Sequence, residues 1–168
     1  MDLLIVRHAI AGDRLEWSRS GQPDSERPVT AEGRKKMAAA ARGLAAVLPH
    51  LDVLATSPYV RARQTAEILH AQYGEPAPTE VAALAHGGSP VELLEWLGRE
   101  GKHDVVAIVG HEPDLGELIG RLLTGGSAPV VRLGKGGACL LSFTGAPGPG
   151  AAELAWVLTP KLLRRLAK

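Results

Sequence analysis

The sequence predicts an α/β protein, a three-layer α/β/α sandwich with a mostly parallel central sheet and helices on both faces. Short runs of β-favouring apolar residues alternate along the chain with longer amphipathic segments, which is typical of strands joined by helices. The two clearest runs, at 3–6 and 105–109, have no polar alternation, as expected of strands buried on both faces. The 168 residues suit one domain, so we expect a single domain over residues 1–168.

The first predicted strand is the apolar run 3–6, which leads directly into Arg7 and His8. Ligand sites in open α/β sheets lie just past the carboxyl ends of the strands, so this pair is a candidate for chemistry. Residues 10–29 are polar and contain two glycines and two prolines, and we expect a long loop there. Thr30 then caps a helix whose apolar positions recur at spacings of three and four.

The second predicted strand covers residues 51–56 and follows Pro49, which ends the first helix. Ser57 and Pro58 come next, and these residue types favour the N-cap and the first position of a helix. The helix is expected to run from Pro58 to about Tyr73.

The middle of the chain continues the alternation of strands and helices. A short strand is expected near Val81, and the Ser-Pro-Val-Glu sequence at 89–92 is a capping box that starts a helix ending near Gly98 or Gly101. The strand at 105–109 follows, and the next helix begins after the Gly-His-Glu-Pro sequence at 110–113.

The end of the chain predicts two strands and a short helix. The apolar runs 138–143 and 153–158 are separated by a turn region, 144–150, which is rich in glycine and proline. This pattern favours a hairpin. Residues 161–168 are expected to form the closing helix.

Composition excludes several functional classes. The net charge is +1, so neither nucleic acid nor a membrane surface is an expected partner. No apolar stretch approaches the length of about 20 residues that spans a membrane. The apolar run at the start of the chain is short and lies between Asp2 and Arg7, so we do not expect a signal peptide. The sequence has a single cysteine, Cys139, which therefore forms no internal disulfide. We expect a cytoplasmic protein.

Three predicted strand ends carry unusual polar residues: Arg7 and His8, then Arg61 beyond the second strand, then His111. If these strands are neighbours, two arginines and two histidines meet at one edge of the sheet. Arginine binds phosphoryl oxygens in a bidentate manner, and histidine can act as a covalent nucleophile at neutral pH. Phosphoryl transfer needs positioning and charge stabilisation, which these four residues can supply without a metal or cofactor.

The order of these motifs resembles the histidine phosphatase superfamily, and its short SixA-type phosphohistidine phosphatase branch most. The segments that carry the resemblance are Arg-His-Ala at 7–9, Arg-Pro-Val-Thr at 27–30 with Gly33, Ser-Pro-Tyr-Val-Arg-Ala-Arg-Gln-Thr-Ala at 57–66, Gly-His-Glu-Pro at 110–113 and Trp-Val-Leu-Thr-Pro at 156–160. The resemblance covers nearly the whole chain and implies a phosphoglycerate mutase-like fold.

The resemblance also implies roles for the four residues. His8 attacks phosphorus and becomes a phosphohistidine intermediate, which water then hydrolyses to release inorganic phosphate. Arg7 and Arg61 hold the phosphoryl oxygens, and His111 hydrogen-bonds the same group and stabilises charge in the transition state. Arg27 borders the site or anchors the first loop, and the sequence leaves both interpretations open.

The chain departs from the family pattern at two points. Ala9 stands where many relatives have glycine. The larger members use a carboxylic acid to protonate the leaving group, whereas this chain has no carboxylate between Glu80 and Glu92. His86 lies in that region; we expect a solvent-facing loop histidine, with proton donation as the alternative.

The missing acid bears on the substrate. Imidazole leaves a P–N bond more readily than an alkoxide leaves a P–O bond, so a phosphohistidine on a protein is the expected substrate. A broad small-molecule phosphomonoesterase is the second hypothesis. The third is a catalytically weak module that binds phosphate and regulates a partner.

Overall fold

The structure, a computed structural model, describes residues 1–167 and contains one six-stranded sheet. Its strands are β1 (Asp2–Arg7), β2 (Val53–Thr56), β3 (Thr79–Glu80), β4 (Val105–Gly110), β5 (Ala138–Ser142) and β6 (Glu153–Leu158). The strand order is β3-β2-β4-β1-β5-β6. The first four neighbours in this order pair in parallel, whereas β5 is antiparallel to both β1 and β6. The predicted mostly parallel sheet is confirmed.

Within residues 1–167, six α-helices accompany the sheet, together with two short 3₁₀ helices at Asp24–Glu26 and Ala82–Leu84. The α-helices are α1 (Arg14–Arg19), α2 (Ala31–Val47), α3 (Val60–Tyr73), α4 (Pro90–Glu100), α5 (Asp114–Thr124) and α6 (Pro160–Leu166). None of the helices in residues 1–167 is long and apolar enough to cross a membrane.

The two faces of the sheet carry separate hydrophobic cores, as a three-layer sandwich requires. Side chains along β1 alternate between them: Leu4 and Val6 pack in a core with buried residues of α2, α3 and α6. Leu3 and Ile5 pack in the other core with residues of α4 and α5. All four side chains are fully buried, so the apolar run without alternation reflects cores on both sides of the strand.

The prediction that residues 10–29 form a loop is wrong in part. The segment contains α1, whose N-cap Asp13 accepts hydrogen bonds from the backbone N–H groups of Leu15 and Glu16. It also contains the first 3₁₀ helix, and Ala11 and Val29 form an isolated bridge across its base. The Asp-x-x-Glu spacing at Asp13 was the missed helix signal.

The predicted start of α3 is also wrong. The helix begins at Val60, two residues later than expected, and its N-cap Tyr59 makes no side-chain capping bond. Ser57 is therefore free to bond elsewhere. β2 also starts two residues later than expected, at Val53 rather than 51. The short strand expected near Val81 is β3, which ends directly before that residue.

The end of the chain follows the prediction. β5 and β6 form the antiparallel hairpin, and Cys139 is buried and unpaired. The predicted closing helix is α6, which begins at Pro160 with Thr159 as its N-cap. Residue 168, its predicted last residue, lies outside the described residues.

Candidate active site

The strand order brings the three polar strand ends together. β4 lies between β1 and β2, with Arg7 opposite Gly110 in one ladder and Thr56 opposite Val109 in the other. All three strands are parallel, so their carboxyl ends meet at one edge of the sheet. The residues that follow each strand therefore face a common space.

That space is a cavity of about 470 Å³. It is lined by Arg7, His8, Ala11, Gly12, Asp13, Arg14, Asp24, Arg27, Arg61, His86, His111, Glu112 and Lys135. The lining includes all four residues predicted from the sequence to form the site. Five of the lining side chains are arginine or lysine and three are carboxylates, so the cavity favours an anion.

His8 is held in one tautomer and is uncharged at neutral pH. Its Nδ1 lies 2.7 Å from the carbonyl oxygen of Ala9; because a carbonyl only accepts, Nδ1 carries the proton and Nε2 keeps a lone pair. The pKa of His8 is lowered to about 3, mainly by burial and to a smaller extent by the charges of Arg61 and Arg7, whereas the bond to the Ala9 carbonyl acts in the opposite direction. An imidazole with a free Nε2 is the form that can act as a nucleophile.

The backbone around His8 is fixed from three directions. The His8 N–H donates to the Gly110 carbonyl on β4, and the Gly136 N–H donates to the His8 carbonyl. The Ala9 N–H donates to the Thr65 hydroxyl, which in turn donates to the Arg61 carbonyl. Thr65 thus links the His8 segment to the first turn of α3, which holds Arg61.

The two arginines are anchored at their tips, and each has one buried nitrogen without a partner among the described residues. Arg7 Nη1 donates to the Leu133 carbonyl at 2.7 Å. Arg61 donates through Nη1 to the Asp24 carbonyl and through Nη2 to the Asp24 carboxylate. Among the described residues, the buried Nε of Arg7 and the buried Nε of Arg61 have no hydrogen-bond partner.

His111 presents a third buried donor position. Its Nε2 lies 2.8 Å from the Ser57 hydroxyl, while its Nδ1 is buried and has no partner in the described chain. Ser57 Oγ already accepts from the Tyr59 N–H, so its own hydrogen can point to Nε2 and leave the proton of His111 on Nδ1. The pKa of His111 is lowered to about 3, mainly by burial, and the positive charge of Arg61 acts in the same direction.

The site therefore combines a neutral nucleophile with unsatisfied donors. The rings of His8 and His111 have centroids 5.2 Å apart, and buried polar groups without partners are costly unless a ligand completes them. An anion with several acceptor oxygens would satisfy the arginine Nε groups and His111 Nδ1 together. A phosphoryl group has this composition.

Asp24 is a site residue that the sequence analysis missed. It bridges two arginines, since one carboxylate oxygen accepts from Arg61 and the other from Arg27 at 2.9 Å. Burial acts to raise the pKa of Asp24, but the hydrogen bonds and charges of Arg27 and Arg61 outweigh this effect, so the pKa is lowered. No local pattern marks the bond to Arg61, because this residue lies 37 positions from Asp24 in the chain.

The sequence left two roles open for Arg27, at the border of the site or as an anchor of the first loop, and this residue does both. Arg27 lines the cavity, and it also anchors the first loop, because its Nη1 donates to the Gly12 carbonyl at 2.7 Å.

His86 is half exposed, as expected of a loop histidine, yet it also lines the cavity. Its Nδ1 lies 2.6 Å from the carboxylate of Asp114, the first residue of α5.

Comparison with known proteins agrees with this geometry. Residues 3–85 match the family model of the histidine phosphatase superfamily, branch 1. An uncharacterized protein of Picosynechococcus is 38% identical over 139 residues, which cover 82% of each chain. An uncharacterized protein of Mycobacterium tuberculosis is 33% identical over 99 residues, or 58% of this chain and 60% of that relative.

Solved structures share the fold at low sequence identity. The protein histidine phosphatase SixA, complexed with tungstate, superposes with a TM-score of 0.81 at 22% identity, covering 96% of this chain and 98% of that chain. A phosphoserine phosphatase mutant from Entamoeba histolytica, in complex with phosphoserine, has a TM-score of 0.70 at 16% identity, with coverage of 96% and 98%. The phosphoglycerate mutase-like, three-layer fold expected from the sequence is confirmed.

Proposed function

Because this chain belongs to the histidine phosphatase superfamily, we propose that it is a metal-independent phosphatase of the SixA type. It hydrolyses phosphohistidine on a protein and forms a phosphohistidine intermediate on His8. The observation that carries the proposal is the neutral His8, whose free Nε2 shares one cavity with the unpartnered donors of Arg7, Arg61 and His111.

The first half of the reaction transfers the phosphoryl group to the protein. His8 Nε2 forms a bond to phosphorus as the bond to the leaving group breaks. The arginine Nε donors and His111 Nδ1–H hold the phosphoryl oxygens and stabilise the charge on them in the transition state. In the second half, water attacks phosphorus, the P–N bond to His8 breaks, and inorganic phosphate is released.

The carboxylates around the cavity support a P–N substrate. Both carboxylate oxygens of Asp24 accept from arginines, and both of Glu112 accept from backbone N–H groups. Asp13 caps α1. Acceptors engaged in this way are poor proton donors, so a leaving group that departs as neutral imidazole suits the site better than an alkoxide.

The experiment compares wild type with His8→Gln in EDTA, measuring phosphate release from a phosphohistidine protein, a phosphoserine peptide and p-nitrophenyl phosphate. The wild type is expected to have a kcat/KM for phosphohistidine at least ~10-fold above that for phosphoserine. His8→Gln is expected to lose at least ~10³-fold on every substrate. Rapid quenching at alkaline pH should trap phosphate on the wild-type peptide that contains His8.

The outcomes separate the hypotheses. Phosphoserine turnover equal to phosphohistidine turnover would favour the small-molecule phosphomonoesterase. Phosphate release that survives His8→Gln, or that requires a divalent metal, would refute the covalent mechanism. Binding of inorganic phosphate with no turnover of any substrate would favour the regulatory binding module.

A further inference from the structure

His86 and Asp114 form a polar pair at the edge of the cavity that the mechanism above does not use. The Asp114 carboxylate accepts from His86 Nδ1 through one oxygen and from the Gly87 N–H, at 3.1 Å, through the other. The carboxylate therefore holds both the ring and the backbone of this loop. Asp114 itself is fixed at the start of α5, the helix that follows the His111 strand end.

This pairing determines which ring nitrogen is available to the cavity. A carboxylate only accepts, so Nδ1 carries the proton that bonds to Asp114. No described residue bonds to His86 Nε2, and 48% of the side chain is exposed. His86 lines the cavity, whereas Asp114 does not, so Nε2 is the nitrogen that remains for substrate or water.

His86 lines the same cavity as His8 and His111, so a substrate bound there lies in the space that His86 borders. The Asp114 carboxylate, 2.6 Å from His86 Nδ1, orients the ring in the way that a carboxylate orients a catalytic histidine.

We propose that His86, positioned by Asp114, protonates the leaving group and then activates water, so that the site also hydrolyses phosphomonoesters of alcohols. This inference rests on the proposed function, because His8 must first accept the phosphoryl group. It supplies the acid that the cavity carboxylates do not.

Each proton is accounted for in both steps. When His8 Nε2 bonds to phosphorus, the P–O bond to the alcohol breaks and its electron pair stays on the leaving oxygen. That oxygen takes the proton from His86 Nε2, which leaves His86 neutral with Nδ1–H still bonded to Asp114. Water then attacks phosphorus, gives its proton to His86 Nε2, and the P–N electron pair returns to His8.

The test compares leaving groups that do and do not need a proton. With a phosphoserine peptide, His86→Gln is expected to lower kcat/KM by about 10²–10³-fold, within the usual contribution of a general acid. With p-nitrophenyl phosphate, whose leaving group departs as a stable anion, the same variant should lose less than ~5-fold in kcat/KM. The comparison uses kcat/KM because this constant reports the steps up to release of the leaving group and not the later attack of water, in which His86 acts for both substrates. Asp114→Asn should show a smaller loss with the same substrate dependence.

His50→Gln is the matched control, because His50 is also bonded to an aspartate, Asp52 at 2.7 Å, but does not line the cavity. It should leave both rates unchanged. Inhibition of His86→Gln by inorganic phosphate should stay within ~3-fold of wild type, since phosphate binds through the other groups.

Two results would overturn this inference and leave the proposed function standing. One is that His86→Gln loses equally on both substrates. The other is that phosphoserine turnover does not depend on His86, although the aryl phosphatase activity of the wild type requires His8. Absence of His8-dependent release from every substrate would instead overturn the proposed function, and the inference with it.

Discussion

The burial of two neutral histidines predicts how stability depends on pH. His8 and His111 are 5% and 3% exposed, and burial lowers the pKa of each to about 3. An unfolded chain has histidine pKa values near 6.5. Replacing both residues with glutamine, in the variant His8→Gln/His111→Gln, removes this difference between the folded and unfolded states.

The sign of the effect follows from proton binding. Below about pH 6.5 the unfolded chain binds a proton at each position while the folded chain does not, so stability falls as the pH falls. The full stability of the folded chain is present above about pH 6.5, and it is lost progressively as the pH falls towards the pKa of the two histidines in the folded state, near 3. At pH 5 each histidine lowers the free energy of unfolding by about 2 kcal/mol relative to pH 7.5, and the pair lowers it by about 4 kcal/mol.

The assay is urea unfolding at equilibrium at pH 7.5 and pH 5, at constant ionic strength and in buffers without phosphate. Phosphate is excluded because a ligand that binds only the folded state would add stability of its own. The wild type should lose about 4 kcal/mol more between the two pH values than the double variant does. Each single variant should recover about half of that difference.

The control is Leu118→Ala, which removes a buried side chain that does not titrate. It should lower stability by about 2–5 kcal/mol at both pH values and leave the pH dependence as in wild type. An equal loss of stability between pH 7.5 and pH 5 in the double variant and the wild type would mean that burial does not hold the two histidines neutral.

Two further predictions concern residues away from the nucleophile. Asp24→Asn removes the carboxylate between Arg27 and Arg61 and should lower the free energy of unfolding at pH 7.5 by about 1–3 kcal/mol; an unchanged value would mean that Asp24 does not compensate the buried arginine charges. Gly43→Ala places a Cβ against the Leu163 carbonyl, where α2 meets α6, and should cost at least about 1–3 kcal/mol in thermal or urea unfolding. Gly98→Ala, also in a helix but with open space at the Cβ, should be neutral or stabilising by up to about 1 kcal/mol.

Strands and helices with strong periodicity were predictable because their signals are local. The apolar run of β1 has no alternation of polar residues, which indicates a strand buried on both faces. Capping residues mark the starts of α2 and α4. The start of α3 was not predictable in this way. Ser57 and Pro58 have the residue types of a helix start, but the Ser57 hydroxyl lies against His111, and the helix begins at Val60.

Within the site, the sequence placed Arg7, His8, Arg61 and His111 each at the carboxyl end of a strand or in the helix turn that follows it, because the apolar runs and turn residues that mark these ends are local. The strand order that brings these ends together, and the hydrogen-bond partners of the four side chains, became visible only in the folded structure. Ser57 and His111 are 54 positions apart, and His86 and Asp114 are 28 apart. Such pairs depend on β4 lying between β1 and β2 and on how the loops close over that edge. These are non-local contacts that no local pattern encodes, and they set the tautomers and proton affinities that the chemistry needs.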